Sequence, residues 1–552
     1  MASFRAPFVG PFLGASFLGP RPKEMIGTMT RIRRLAPSLL GVLLVSALSL
    51  PQAGAAPSSG AERVLPLAPA GSTPALIEAA VARGEIDRAV ADRYLAAALT
   101  NPSALPARYR SAVPWRGTLP LLALQQRAEA AGTTVARLAG ADRGGNDGCQ
   151  GYNSNKPRRR VTNHFLIRYD PDAIKGGLTI RNYARTLETS WSTEVGQFGW
   201  PKPPFQNSAN HLYHVRIENL GSGLYGFVST NGATAGFVGN NRATSWPDHD
   251  AYASCMVLNQ DYRGFPSVPL KSLQSTAAHE LNHGVQFGQG GLTGVGAPDL
   301  VFVEAGATWM EDEVFDNADD NYFYLWPSLA NSMGAHPENG TVYSYWITLR
   351  AITERYGTGV AGGGEDVMQN FWEETSREEA GNLEAMSGAL QAESISLADA
   401  FHNAAISIRA SRPCVGGYVY PYCLEEGEGY RNLVGSYGND WSIGGVGGSA
   451  SGAVRDDYAA RMVGLPKAAG TYDVTLSNDD SGGKLRASLV CDTGAALTVT
   501  ALSQVAGPGE TASATNFNSD LCVTVALVVT NQDQHGANPG SSALRGFSVD
   551  TS

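Results

Sequence analysis

The run His279-Glu280-Leu281-Asn282-His283 places two imidazoles four residues apart, with a carboxylate directly after the first. On an α-helix, positions i and i+4 share one face about one turn apart. Two rings so placed can reach one tetrahedral ion through neutral nitrogens, and zinc, Zn2+, is the ion that this ligand pattern suits. Glu280 then stands beside the open position without ligating it, where a carboxylate can serve as general base. A catalytic site of this kind needs a third protein ligand and keeps one position for water. The segment 301–315 has apolar residues at helical spacing around Glu304, one loop after the motif, so Glu304 is the expected third metal ligand. Thr308 and Glu311 lie one and two turns further along the same face, as candidates to hold a ligand histidine by a hydrogen bond.

These residues need a helix, a turn and a returning helix. Pro269 suits the first turn of the motif helix. Ser275, Thr276, Ala277 and Ala278 keep one face small, and Phe287 with Gly288, Gly290 and Gly291 marks the end. The Gly-rich stretch 288–299 is the expected loop. Upstream, alternation predicts strands over 164–169, 211–217 and 253–258, and an amphipathic helix over 180–198 that Trp200 and the prolines at 201, 203 and 204 terminate. Helices dominate from about 271 to 410. After Arg412 the chain turns to short β runs, clearest at 471–476, 485–490, 497–502 and 522–529. The expected class is α+β, with a separate all-β sandwich at the C-terminal end.

At these positions the sequence resembles the zincin metallopeptidases, in particular the gluzincin branch, in which H-E-x-x-H is followed by a Glu on the next helix. It is most similar to a bacterial family of secreted metalloproteases. Its members combine "HE..H..Q" with "E..A.WMEDEV" and a preceding "vlDxDY"-like strand end; this chain has Leu258-Asn-Gln-Asp-Tyr262, Val285-Gln286-Phe287 and the WMEDEV run from Trp309. The resemblance covers about residues 161–412. It implies a zincin-like catalytic domain, with a mixed sheet and helices first and a helical subdomain after. His279, His283 and Glu304 would be zinc ligands and Glu280 the catalytic base. Thermolysin-like members often carry an Asp four residues after the ligand Glu; here Thr308 stands there. Such enzymes also hydrogen-bond the oxyanion from a Tyr or His, for which Tyr343 and Tyr345 are the catalytic candidates, on an expected helix after the ligand helix.

The N-terminal part reads as export machinery. Arg31, Arg33 and Arg34 precede an apolar run, 39–50, and the small residues Ala53-Gly54-Ala55. That order is a secretory signal peptide over 1–55, with Met25 or Met29 as possible starts, and it predicts a secreted, extracellular protein. Residues 56–148 read as a helical propeptide or N-terminal lobe, and the Gly- and Asp-rich stretch 139–148 with the basic cluster Lys156 to Arg160 as a flexible, cleavable link. The metallopeptidase domain is expected over 149–412 and the sandwich over 413–552. The six cysteines behind a signal peptide predict disulfides; Cys414–Cys423 and Cys491–Cys522 are plausible by proximity, leaving Cys149–Cys255, though spacing alone does not choose.

The formal net charge of −10 argues against a nucleic-acid partner, and no later apolar run is long enough for a membrane span. The expected partner is a protein or peptide substrate, cleaved at amide bonds by metal-activated water. The rival reading is a catalytically inactive zinc-binding or surface-binding protein that works through its C-terminal sandwich. The oxygens of Asp316 to Asn321 could hold calcium, Ca2+, but a solvated turn fits them as well. The remaining histidines show no metal spacing; His211 and His214 are expected on opposite faces of one strand. No G-x-S-x-G elbow or phosphate-binding loop is present.

Overall fold

The computed structural model describes residues 68–135, 156–205, 211–230, 236–290, 300–325, 329–330, 332–333, 341–357, 365–378, 381–434, 438–480, 482–534 and 543–552. The chain divides into Met1–Glu62 and Arg63–Ser552, and every described residue belongs to the second unit. The segment 1–55, expected to be a signal peptide, most of the loop 288–299 and the stretch 139–148 lie outside the described residues. The protein is mixed α+β.

Helices α1 (Thr73–Ala82), α2 (Arg88–Thr100) and α3 (Thr118–Ala130) form an N-terminal lobe. Asp87 caps α2 by accepting from the Val90 amide at 2.7 Å. A five-stranded sheet follows: β1 (Arg158–Val161), β2 (Phe165–Tyr169), β3 (Tyr213–Glu218), β4 (Gly226–Ser229) and, after a short ribbon of β5 (Phe237–Gly239) and β6 (Ala251–Tyr252), β7 (Cys255–Asn259). The order is β1-β2-β3-β7-β4. The inner strands β2, β3 and β7 run parallel, and the margins β1 and β4 are antiparallel.

The sheet is covered on both faces. Met256 and Leu258 of β7 join the core that holds the motif helix, while Cys255 and Val257, pointing the other way, join the core of the N-terminal lobe. This explains why β3 and β7 are buried along their whole length, as in a sheet sandwiched between helical layers.

On the first face lie α4 (Ile180–Trp191) and the motif helix α5 (Pro269–Gly288). The returning helix α6 (Leu300–Val314) is followed by α7 (Trp346–Thr353), α8 (Glu365–Glu378), α9 (Asn382–Ala392), α10 (Leu397–Ala410) and α11 (Gly427–Val434). No described helix is long and apolar enough to cross a membrane.

Two further sheets close the chain. One has the order β13-β12-β15-β10-β8, from β8 (Trp441–Ser442), β10 (Ala459–Gly464), β12 (Leu485–Asp492), β13 (Leu497–Ala501) and β15 (Thr524–Asn531). The other is β14-β11-β16-β9, from β9 (Ser449–Arg455), β11 (Thr471–Asn478), β14 (Thr511–Asn518) and β16 (Leu544–Thr551). Val474, Leu476 and Val549 of the second share one core with Leu489, Leu527 and Val529 of the first. Disulfides Cys414–Cys423 and Cys491–Cys522 are present; Cys255 is also disulfide-bonded, and Cys149 lies outside the described residues.

Three local expectations change. The basic cluster is not a free link, because Arg158 to Arg160 run in β1, paired with β2. His211 precedes β3 rather than lying in it and has a left-handed backbone with φ 51°. The helix expected over 180–198 is α-helical only to Trp191, and a wider π turn carries it to Gln197.

Candidate metal centre

Helix α5 presses against β3 because residue 284 has no side chain. A Cβ on Gly284 would stand 2.7 Å from the Tyr213 hydroxyl, which itself bonds Ser254 Oγ at 2.7 Å. On the helix so seated, His279 and His283 are both buried. The facing helix α6 brings Glu304 to the same place. One ligand atom from each of His279, His283 and Glu304 lies within 4.8 Å of the others, and all three side chains are buried. The two rings meet edge to face at 89°, with centroids 4.6 Å apart. Such a group could hold a metal ion.

The outer nitrogens are held as metal ligands usually are. His283 Nδ1 lies 2.7 Å from Gln286 Oε1, and His279 Nδ1 lies 2.9 Å from Glu311 Oε1. Both partners accept, so each Nδ1 carries the proton and donates. The lone pairs on the two Nε2 atoms are left toward Glu304, whose Oε2 is 3.0 Å from His279 Nε2 and 3.5 Å from His283 Nε2. Among the described residues, His283 Nε2 and Glu304 Oε1 have no hydrogen-bond partner. Buried acceptors converging without a donor are costly unless a cation or a proton lies between them. The donor set therefore fits a divalent ion.

Charge within the site is unevenly spread. Burial disfavours the Glu304 carboxylate, but His283 and His279 overcome it and hold the carboxyl down at about 2. Burial likewise disfavours charge on His283, yet Glu304 and Glu280 lift that ring above its ordinary value. Burial holds His279 well below its ordinary value, and Arg116 adds to the effect. For Glu280, burial pushes the carboxyl up to about 7, against the pull of His283 and Arg116.

Glu280 stands apart from the trio. Its Oε2 accepts from Thr118 Oγ1 at 2.9 Å, and its Oε1 has no partner among the described residues. Thr118 Oγ1 in turn accepts from the Val228 amide at 2.9 Å. Arg116, fully buried, donates from Nη2 to Glu311 Oε1 at 2.6 Å and stacks over the Tyr225 ring, 4.6 Å from its centroid. Neither Arg116 nor Thr118 was expected here. They come from the N-terminal lobe, far from the motif in sequence, and no local pattern marks them.

Of the other candidates, Thr308 Oγ1 is buried without a partner and holds no histidine, whereas Glu311 does. Tyr343 and Tyr345 lie in a 3-10 turn, Thr341–Tyr345, not in a helix. Both are packed in the hydrophobic core. The Tyr343 ring is 6.4 Å from the His279 ring, and its buried hydroxyl has no partner among the described residues. Within the stretch noted for calcium, Asp319 pairs with Lys271, Asp320 Oδ1 accepts from Ser272 and Asn321 donates its amide to Asp312, while Asp320 Oδ2 has no hydrogen-bond partner among the described residues. Among the described residues, only His279, His283 and Glu304 form a metal-capable group.

Gln286 was visible in the sequence as part of a family word but was given no role. Its Nε2 donates to Asn282 Oδ1 at 2.9 Å and to the Val303 carbonyl at 3.1 Å, tying α5 to α6. No protein-family model, curated protein or solved structure matches this chain.

Proposed function

We propose that this chain is a secreted zinc-dependent endopeptidase, with a zincin-like catalytic domain over 149–412 and a β-sandwich over 413–552. His279, His283 and Glu304 hold the metal, and Glu280 is the general base. The observation that carries this reading is the convergence of two Nε2 lone pairs and one carboxylate in a buried site, with both ring tautomers fixed from outside. A zinc ion there supplies Lewis acidity and lowers the pKa of water toward neutrality.

The protein's own groups do the rest. Glu280, outside the ligand trio, is free to take a proton from the attacking water and give it to the leaving nitrogen. Glu311 and Gln286 keep the two rings in the ligating tautomer. Tyr343 is the better of the two tyrosine candidates for the oxyanion. Burial raises its phenol well above the ordinary value, so it keeps its proton and can donate it to an oxyanion in a hydrogen bond.

The test is metal analysis of the secreted protein together with a casein digest, with and without chelator, for the natural chain and for Glu280→Gln. The expected result is one zinc per chain in both proteins, with hydrolysis reduced by about 10²- to 10⁴-fold in the variant. Full activity in Glu280→Gln, or a protein that binds no metal, refutes the assignment.

A further inference from the structure

His279, Glu280, His283 and Glu304 are each 0% exposed. A polypeptide cannot reach a carboxylate that water cannot reach. Part of what encloses Glu280 is the segment that leads into α3. Its backbone lies along the stretch that leads into β4 and along the start of the strand's outer edge: Trp115 donates to the Gly223 carbonyl at 2.8 Å, Tyr225 donates to the Trp115 carbonyl at 3.1 Å, and Gly117 donates to the Gly226 carbonyl at 2.9 Å. Thr118 then takes the next outward amide, that of Val228, and spends its single hydroxyl proton on Glu280. A Cβ on Gly117 would come within 3.0 Å of Phe227 Cβ, so the fit against the edge is close. Arg116 completes the contact on Glu311, the residue that orients His279.

Resting on the peptidase reading above, we infer that residues 68–135 are an intramolecular inhibitor, docked on the β4 edge and on Glu280, which must leave before the site can act. Three consecutive residues, Arg116, Gly117 and Thr118, reach the ion pair of a metal-ligand partner, the sheet edge and the general base together. A lobe kept only for stability has no need to bind the base. An exposed sheet edge is a ready site for an extended chain, and here this protein's own segment fills it. Arg116 is also singly satisfied: among the described residues its Nε and Nη1 have no hydrogen-bond partner, and its charge rests on Glu311 and two tyrosine faces. The first cysteine in the sequence is Cys149, so a cut upstream of it leaves the lobe with no covalent hold.

The experiment inserts a recognition sequence for a site-specific protease between Gly144 and Gly145 of the full chain. The zinc-loaded protein is compared intact and after cutting and removal of the lobe by size exclusion. Two readouts are taken: hydrolysis of a quenched fluorescent peptide, and binding of a small hydroxamate that seeks the metal itself. Both should rise about a hundredfold once the lobe is gone, the ratio expected of a site open about 1% of the time. Equal hydroxamate binding before and after overturns the inference. So does a lobe that cannot be removed without loss of zinc and of near-UV circular dichroism, because it is then an integral part of the fold. Hydroxamate binding that rises without any peptide cleavage upholds the inhibitor and refutes the peptidase. A single variant gives a second view: Arg116→Met in the intact chain should raise hydroxamate binding, because it removes the charge that ties the lobe to Glu311.

Discussion

Gln286 Oε1 lies 2.7 Å from His283 Nδ1, and Gln286 can only accept there, because its Nε2 donates to both Asn282 and the Val303 carbonyl. One side chain therefore fixes a histidine tautomer and joins the two helices that carry the candidate ligands. Gln286→Leu should keep the fold and lower zinc affinity by about ten- to a hundredfold, measured by competition with a chromogenic chelator. Unchanged affinity means that His283 is oriented by packing alone.

Tyr343 is tested by removing one oxygen. Tyr343→Phe keeps the ring against Tyr324, 4.9 Å centroid to centroid, and deletes only the unpartnered hydroxyl. If that hydroxyl stabilises a developing oxyanion, kcat should fall by roughly 10²-fold or more while zinc content and KM stay nearly constant. A rise in KM at constant kcat would instead assign the tyrosine to substrate binding. The same change at Tyr345, which is packed in the core, should leave kcat alone.

Glu311 holds two roles that can be separated. Glu311→Leu leaves the Arg116 guanidinium buried without a counter-ion, which should destabilise the intact chain by about 3–5 kcal/mol in urea unfolding. Adding Arg116→Met should return much of that stability, because a buried pair replaced by apolar groups is close to neutral. Zinc affinity should stay low in the double variant, since His279 Nδ1 still lacks its acceptor. Recovery of affinity along with stability would show that Glu311 acts on the metal site only through the fold.

What was legible in the sequence was local. His279, Glu280 and His283 lie within two turns of one helix, and Glu304 and Glu311 within three turns of the next, so helical spacing alone put the right atoms on facing surfaces. The four C-terminal β runs were found because alternation is likewise a short-range signal. Gln286 lies one turn beyond His283 and was within reach of the same reasoning. Arg116 and Thr118 were not. Their place is set by α3 packing on Phe227 and Val257 and by the backbone pairing of residues 115–117 with the β4 edge, contacts that no periodicity encodes. The basic cluster misled for a related reason: polar residues suggest a loop, but a marginal strand such as β1 can be fully exposed and still paired.

His402 predicts how the protein responds to acid away from the metal. It sits on α10 with Nδ1 2.8 Å from Thr530 Oγ1 and Nε2 2.9 Å from Ser488 Oγ, joining the helical region to strands β15 and β12. Burial, aided by the nearby Arg486, holds the ring down at about 3 against an ordinary 6.5. The unfolded chain therefore takes up a proton at a pH where the folded chain does not. Stability from this residue is complete above pH 6.5 and is lost as the pH falls from 6.5 toward 3, at up to about 1.4 kcal/mol per pH unit. His402→Gln, which can still bond one hydroxyl and does not titrate, should begin less stable at pH 7.5 and lose less between pH 6.5 and pH 4. The check is the urea midpoint against pH for both proteins at one zinc concentration, so that the metal ligands contribute equally to the two curves. Parallel curves would mean that the ring is protonated within the fold and that its two hydroxyl partners do not depend on its neutral form.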